Sequence, residues 1–524
     1  MLAFRGTVVT MDDTATVHRD GVVWVGDDGR IVAVGKASAG PPVGFETVAP
    51  VATKGVIYPG LIDLHNHVPY NTIGLWRDGK RAVPWVDHDQ WVRAKSYGPD
   101  VSQPGNFLGW VSAPSLLAYV EMKAIVGGTT TIQGNGKMSR VVEGALARNI
   151  DNERFGTTGD RFRVTTIVPD RATDLVPTAQ AMANHGVGFI YHLAEGVSPR
   201  MAAEWSRAVE GGVVRAGLVA IHGTGLGRAE LDVLAGVGAS VVWSPFSNLW
   251  LYGGTLDGRA AKASGVRMCL GSDWSPSGTK HVLGELKVAS LCSGDPGAWL
   301  AQPDGGQAAG PLFSDLELCR MVTSNPGDAI AAVAGPQVGR LQPGWLADLV
   351  VVRKRAGNIY RNLVRSTEAD VRLVIVGGEP RYGTVPLMTA CGATTTSPVT
   401  VGATSDRVAV IRSPQNVTKF FAWSDVVNRL ESVRADPPAA ARELALALAA
   451  VGNDLSRPDA PLVVFGDMPL AGGNAPSATD RNQPPLPCPV PELQSLVHDR
   501  AWFDAVDTNP FHRGLLSPLR GFYA

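Results

Sequence analysis

Between residues 59 and 340 short apolar, β-rich runs alternate with helical stretches, and this alternation limits the fold more than any other feature. The runs are Leu61–Asn66, Thr129–Gln133, Leu146–Ile150, Val164–Val168, Gly188–His192, Leu218–His222, Ser240–Ser244 and Arg267–Gly271. The third is weak. Strands that are apolar along their whole length are buried on both faces, as in a parallel sheet covered by helices. Eight such units over this length predict an α/β fold built on a (β/α)8 TIM barrel.

The flanks have another texture. "GVVWVGDDGRIVAVG" (21–35) is two β-rich runs joined by Asp-Asp-Gly, a hairpin signal. Similar runs return in "GWLADLVVV" (344–352) and "DVRLVIVGGEPRYG" (370–383). Residues 1–58 and 341–385 are therefore predicted to build one small β-domain from both ends of the barrel. Residues 386–524 read as a C-terminal extension, a candidate lid or oligomer arm. "TACGATTTSPVTVGATSD" has few large apolar residues and reads as a linker. "AAARELALALAA" reads as helix by propensity. "NQPPLPCPVPELQ" reads as extended, and the aromatic end "WFDAVDTNPFHRGLLSPLRGFYA" as packed on a neighbour.

A net charge of -1 and a pI near 6.8 give no electrostatic case for nucleic acid or an anionic membrane. A small-molecule ligand is the expectation, with homo-oligomerisation left open. The 5 cysteines are scattered without a CxxC pair, which argues against a disulfide framework and against a thiolate zinc site. The N-terminus lacks an apolar core, and no run of about 18 apolar residues occurs. A cytoplasmic protein is the expectation.

Barrel enzymes carry their reactive groups at the C-terminal ends of the strands. The first run ends in His65 and His67, which share one face if the strand continues, because side chains alternate. Two such imidazoles suit a metal, or are two hydrogen-bonded histidines at a strand end. The fifth run ends in His192, with Glu195 three residues on; the sixth ends in His222 and the eighth in Asp273. Singly, each has a plain structural reading: a satisfied histidine, a carboxylate in a helix first turn, a turn-forming aspartate. Together they are imidazoles and carboxylates, the donors that hold Zn2+ or Fe2+ with a position open for water. Such an ion lowers the pKa of water toward about 7. A neighbouring glutamate can then move protons.

"PGLIDLHNH", "HLAE", "IHGTGL", "SPFSNLWLYGG", "GSDWSPSGT" and "GRLQPGWLADLVVV" together resemble the amidohydrolase superfamily, in its branch of cytosine deaminases, guanine deaminases and triazine hydrolases. The resemblance spans about residues 1–385. It implies a distorted barrel with a β-sandwich formed from both ends. It implies one divalent ion, Zn2+ first and Fe2+ or Mn2+ as alternatives, held by His65, His67, His192 and Asp273. It implies Glu195 as proton shuttle, His222 as the group that orients or polarises hydroxide or substrate, and Asp273 as a second proton acceptor. Binuclear members use a carboxylated lysine on the fourth strand, and no lysine lies between Lys137 and Lys262, so one metal is expected.

The segment after the first strand, about residues 68–112, carries Trp76 and Trp91 among other aromatics that stack on a planar substrate or pack the loop. Asn248, just past the seventh strand, binds substrate or ties its loop. The leading functional expectation is a deaminase-like hydrolase of a non-peptide C–N bond on a planar, amidine-like carbon. The alternatives are an amide or lactam hydrolase, and a barrel scaffold without catalysis. The last fits poorly with a chain that retains every ligand the resemblance calls for.

Overall fold

A computed structural model describes residues 1–524 apart from 80, 135, 154, 156–158, 167–168, 300–309, 356 and 469–482. Four strands open the chain: β1 (Leu2–Val9), β2 (Val17–Val25), β3 (Ile31–Lys36) and β4 (Val51–Pro59). The Asp-Asp-Gly segment joins β2 to β3 as the sequence predicts, with Val25 opposite Ile31. Gly29 holds a φ of 74° there, and a Cβ would lie 2.2 Å from the Gly377 carbonyl oxygen, so only glycine fits.

The next strands are β5 (Leu61–Asp63), β6 (Thr129–Ile132), a short β7 (Lys137–Met138), β8 (Arg148–Asn149), β9 (Phe162–Thr165), β10 (Gly188–Leu193), β11 (Leu218–His222), β12 (Ser240–Trp243) and β13 (Arg267–Leu270). Without β7 these are the eight predicted barrel strands, in order. β5, β6 and β8 pair in parallel, and so do β9 to β13. The two arcs meet beyond β13 and β5, where Asp273 bridges Asn66 in parallel and the Asp273 N–H donates to the His65 carbonyl at 2.9 Å. The third predicted run shrinks to Arg148–Asn149 because Glu121 Oε2 accepts the N–H groups of Leu146 and Ala147 and removes both donors from the ladder. The fourth begins two residues early, and Ile167 and Val168 lie outside the described residues.

β14 (Leu349–Val352), β15 (Val371–Val376), β16 (Glu379–Thr384), β17 (Ser397–Val401) and β18 (Thr404–Ala409) join β1–β4 in one nine-stranded sheet, ordered β17-β18-β16-β15-β14-β4-β1-β2-β3. Phe4, Val8, Val23, Ile57, Val351 and Leu373 share one core, as in a sheet curled on itself. β17 and β18 correct the linker reading of residues 389–406. Ser397, Val399 and Val401 are buried while Pro398 and Thr400 are exposed, a period-two pattern carried by small residues. Gly402, at a φ of 57°, turns the hairpin.

The extension then wraps the barrel. After the hairpin of β19 (Arg412–Ser413) and β20 (Asn416–Phe420), the helices Trp423–Ala435 and Pro437–Ala450 follow, and Trp423 stacks on Tyr119 at 5.3 Å. β21 (Val464–Phe465) pairs antiparallel with β7. The helix Arg500–Thr508 sets Trp502 on Phe246 at 5.1 Å, so the aromatic end packs as expected. No helix among the described residues is long and apolar enough to cross a membrane.

Candidate metal centre

The barrel strands deliver their polar ends to one buried point. His65, His67, His192, His222, Glu195 and Asp273 are each 5% exposed or less. Three non-glycine residues here have left-handed backbone: Ala194 at φ 54°, His222 at 66° and Asp273 at 59°. Such turns cost of order 1 kcal/mol or more each, and persist because the packed strand ends over-determine them. Asp63 locks the rim. Its carboxylate accepts from the backbone N–H of His65 and Ser272 and from the side chains of Asn66 and Ser272, tying β5 to the end of β13. Burial raises the Asp63 pKa to about 6 against the pull of those bonds.

The imidazoles converge through Nε2. His65 lies 3.3 Å from His67 and 3.1 Å from His192, and His67 lies 3.3 Å from His192. Asp273 Oδ1 lies 3.4 Å from His65 Nε2 and 3.5 Å from His67 Nε2. The Nδ1 atoms face outward, to Ser244 Oγ at 2.7 Å from His65, Asp467 Oδ2 at 2.8 Å from His67, and the Thr165 carbonyl at 3.4 Å from His192. A carboxylate and a carbonyl only accept, so Nδ1 of His67 and of His192 carries a proton, and each ring in its neutral form turns its Nε2 lone pair inward. Lone pairs this close repel unless a cation lies between them. Ligand atoms around one four-coordinate zinc at Zn–N of about 2.0–2.1 Å stand roughly 3.3 Å apart, so the residues fit a single divalent ion.

His222 is set differently. Trp243 Nε1–H donates to Thr255 Oγ1, whose hydroxyl donates to Asn248 Oδ1, and Asn248 Nδ2 then donates to His222 Nδ1 at 3.0 Å. That chain leaves the His222 proton on Nε2, 3.6 Å from Glu195 Oε2. Glu195 is oriented by a similar relay: Trp91 Nε1–H donates to Tyr252 at 2.9 Å, and the Tyr252 hydroxyl donates to Glu195 Oε1 at 2.6 Å.

Burial, reinforced by neighbouring rings, pulls His65, His192 and His222 well below the ordinary imidazole pKa. Burial also opposes a charge on His67, but Asp467, Asp273 and Glu195 outweigh it and hold His67 at about 9. The site therefore favours positive charge at the His67 end. Burial raises Asp273 against the pull of His67. Burial raises Glu195 to about 7, with His88 opposing and Asp273 adding. A carboxyl near neutrality can both hold and release a proton.

The structure thus gathers every residue named from the strand ends. Two of the three candidate substrate contacts bond neighbouring residues of the site. The polar atoms of Asn248 and Trp91 are committed to His222 and Tyr252, which makes them orienting groups. Trp76 stacks on Trp85 at 6.3 Å and meets Tyr97 edge-on, and its Nε1 is buried without a partner among the described residues. Trp274 lies 5.7 Å from His67 and 5.5 Å from Trp91, completing an aromatic wall beside the centre. Sequence reading missed Ser244, Tyr252 and Asp467.

Comparison with known proteins agrees with this architecture. Residues 177–381 match the Amidohydrolase family. A 5-methylthioadenosine/S-adenosylhomocysteine deaminase of Natronomonas pharaonis is 26% identical over 418 residues, covering 71% of this chain and 90% of that protein. Its counterpart in Halobacterium salinarum is 27% identical over 414 residues, with the same coverages. Among solved structures, the zinc complex of atrazine chlorohydrolase from Arthrobacter aurescens superposes with a TM-score of 0.56 at 19% identity, covering 72% of this chain and 95% of that one. Guanine deaminase from C. acetobutylicum, with guanine bound, gives 0.53 at 17% identity, covering 72% and 99%. Residues 177–381 thus carry the match to the Amidohydrolase family, on a fold shared with these solved structures.

Proposed function

We propose that this chain is a mononuclear metal-dependent hydrolase of non-peptide C–N bonds, acting as a deaminase on a planar nitrogen heterocycle. The carrying observation is the set of three inward Nε2 atoms and Asp273 Oδ1, spaced at 3.1–3.5 Å beside a neutral-range Glu195. His65, His67, His192 and Asp273 would hold the ion, zinc by donor type. When bound, such an ion supplies a Lewis acid and a water that ionises near neutral pH.

The protein groups supply the rest. Tyr252 occupies Glu195 Oε1, so the shuttled proton is held at Oε2. From there it passes to a ring nitrogen, and a second proton, given up by the added hydroxyl as the carbonyl forms, passes to the amine, which departs as ammonia. His222 Nε2–H donates to the oxygen that adds to the ring carbon, stabilising charge that grows as the carbon becomes tetrahedral. Asp273 offers the second carboxylate acceptor. Trp76 and Trp274 offer flat apolar surface for a heterocycle. The deaminase names of the relatives support this reading and select 5-methylthioadenosine and S-adenosylhomocysteine as the first compounds, with guanine, cytosine and triazines next.

The test is ammonia release by zinc-loaded protein across that panel, with Glu195→Gln alongside. Turnover of a heterocyclic amine that the variant loses supports the proposal. A new carboxylate without ammonia would move the chemistry to amide or lactam hydrolysis. No turnover by a chain that also binds no metal would reject catalysis.

A further inference from the structure

The metal centre is not made by the barrel alone. Asp467 belongs to the C-terminal extension, outside the residues that match the family, yet its Oδ2 is 2.8 Å from His67 Nδ1. Its segment is tied at both sides. β21 pairs with β7, placing Val464 opposite Met138 and Phe465 opposite Lys137. Asn106 Oδ1 accepts the Gly466 N–H at 3.1 Å. The Thr166 hydroxyl donates to the Asp467 carbonyl at 2.6 Å, and the Tyr70 hydroxyl accepts the Met468 N–H at 3.3 Å. The segment packs closely at Gly466, where a Cβ would lie 2.2 Å from Asn106 Oδ1 and 2.4 Å from Tyr70 Oη, so a larger residue would displace both side chains. Asp467 is thus presented by a fixed strap, and its Oδ1 is buried without a hydrogen-bond partner among the described residues.

A surface aspartate would gain little by such burial. An uncompensated carboxylate oxygen in a closed site is costly unless positive charge lies close by. A metal-bound imidazole whose outer N–H meets a carboxylate supplies that charge, and the carboxylate in turn fixes the ring and strengthens its inner nitrogen as a donor. We propose that Asp467 is a positioning residue of the metal centre: the C-terminal extension reaches back to hold His67 with Nδ1 protonated and Nε2 directed at the ion. This role rests on the metal reading of the site given above. It makes residues 464–468 part of the functional centre.

Full-length wild type, Asp467→Asn and Asp467→Ala are to be compared in three measurements: thermal unfolding of the metal-free chains, zinc affinity by competition with a chelating dye, and the visible spectrum of the cobalt(II)-loaded chains. Asp467→Ala should weaken zinc binding about 10- to 100-fold. Asp467→Asn, near-isosteric and still able to accept from Nδ1, should weaken it less. Both should shift the cobalt bands, a change that a merely structural role would not cause while the metal-free chains unfold at the wild-type temperature. If the alanine chain does not fold, the asparagine chain decides by its cobalt spectrum. Wild-type zinc affinity and cobalt bands in the folded variants would overturn the role of Asp467 and leave the metal reading standing. A wild-type chain that takes up neither zinc nor cobalt would overturn both.

Discussion

Two buried clusters in this protein are built from imidazoles and a carboxylate and follow different logic. One is the barrel-mouth centre of His65, His67, His192 and Asp273. The other joins His281, Glu368 and His498, all nearly fully buried, with candidate ligand atoms within 4.8 Å of one another. In the second cluster every ring nitrogen has a complementary partner. His281 Nδ1 accepts from the Gly284 N–H at 3.3 Å, and its Nε2 donates to Glu368 Oε1 at 3.0 Å. His498 Nε2 accepts from the Lys280 N–H at 3.0 Å, and its Nδ1 donates to the same oxygen at 2.7 Å. Lone pairs and protons alternate, so no cation is needed. In the first cluster the outer partners of His67 and His192 are acceptors, so both Nε2 atoms turn inward toward His65 Nε2 and Asp273 Oδ1, with positive charge favoured at His67. Proton direction, more than residue type, separates a metal site from a structural knot. The knot instead fastens His498 of the extension to Glu368, just before β15, and through it to His281 beyond β13.

That contrast predicts opposite outcomes for like substitutions. The largest effect falls on His192→Ala, which should abolish metal uptake and reduce activity to background. His281→Ala should leave metal per chain unchanged, as elemental mass spectrometry would report. Equal metal loss in both would erase the distinction drawn above. Within the first cluster, Glu195→Gln should retain its metal and lose about 10²- to 10⁴-fold in kcat, the usual weight of a proton-transfer group. In the second, Glu368→Ala leaves two buried N–H donors unanswered. It should cost about 3 kcal/mol in denaturant unfolding with metal content intact. A Glu368 variant as stable as wild type would show that the knot does not hold the extension.

How far the sequence could see follows the same line. The barrel and its strand-end residues were legible because two local regularities carry them: alternation along a strand, and the placement of reactive groups at strand C-termini. β5 ends at Asp63, so His65 and His67 converge along the chain beyond the strand rather than by alternation within it. Asn248 and Trp91 stay open in the sequence between substrate contact and loop packing, because their chemistry announces hydrogen bonding or stacking without saying with what. Their partners, His222 and Tyr252, come from other strands and loops. Asp467 was invisible for the same reason, being joined to His67 only by the folded path of the extension. β17 and β18 were hidden by size: Ser397, Val399 and Thr404 fit a pleated edge but give a weak apolar signal.

The smallest predicted effect concerns acid. Burial holds folded His498 at about 3, below the 6.5 of a free imidazole, although Glu368 works in the other direction. Burial pushes Glu368 up, but its bonds to His281 and His498 prevail and keep it well below the ordinary carboxylate value. Both shifts have one sign. Between pH 6.5 and about 3 the unfolded chain binds a proton at His498 that the folded chain refuses. Glu368 adds to this below its unfolded value near 4.5. Stability from the knot is therefore complete above pH 6.5 and drains away as pH falls. His498→Asn keeps a donor for Glu368 and removes the titration, so it should be less stable at pH 7 and lose less on going to pH 4. The difference between the two chains isolates the knot, because acid protonation of the barrel-mouth histidines is common to both. Parallel curves for wild type and variant would mean that His498 is already protonated in the folded chain, and that an ion pair rather than a neutral hydrogen-bonded ring fastens the extension.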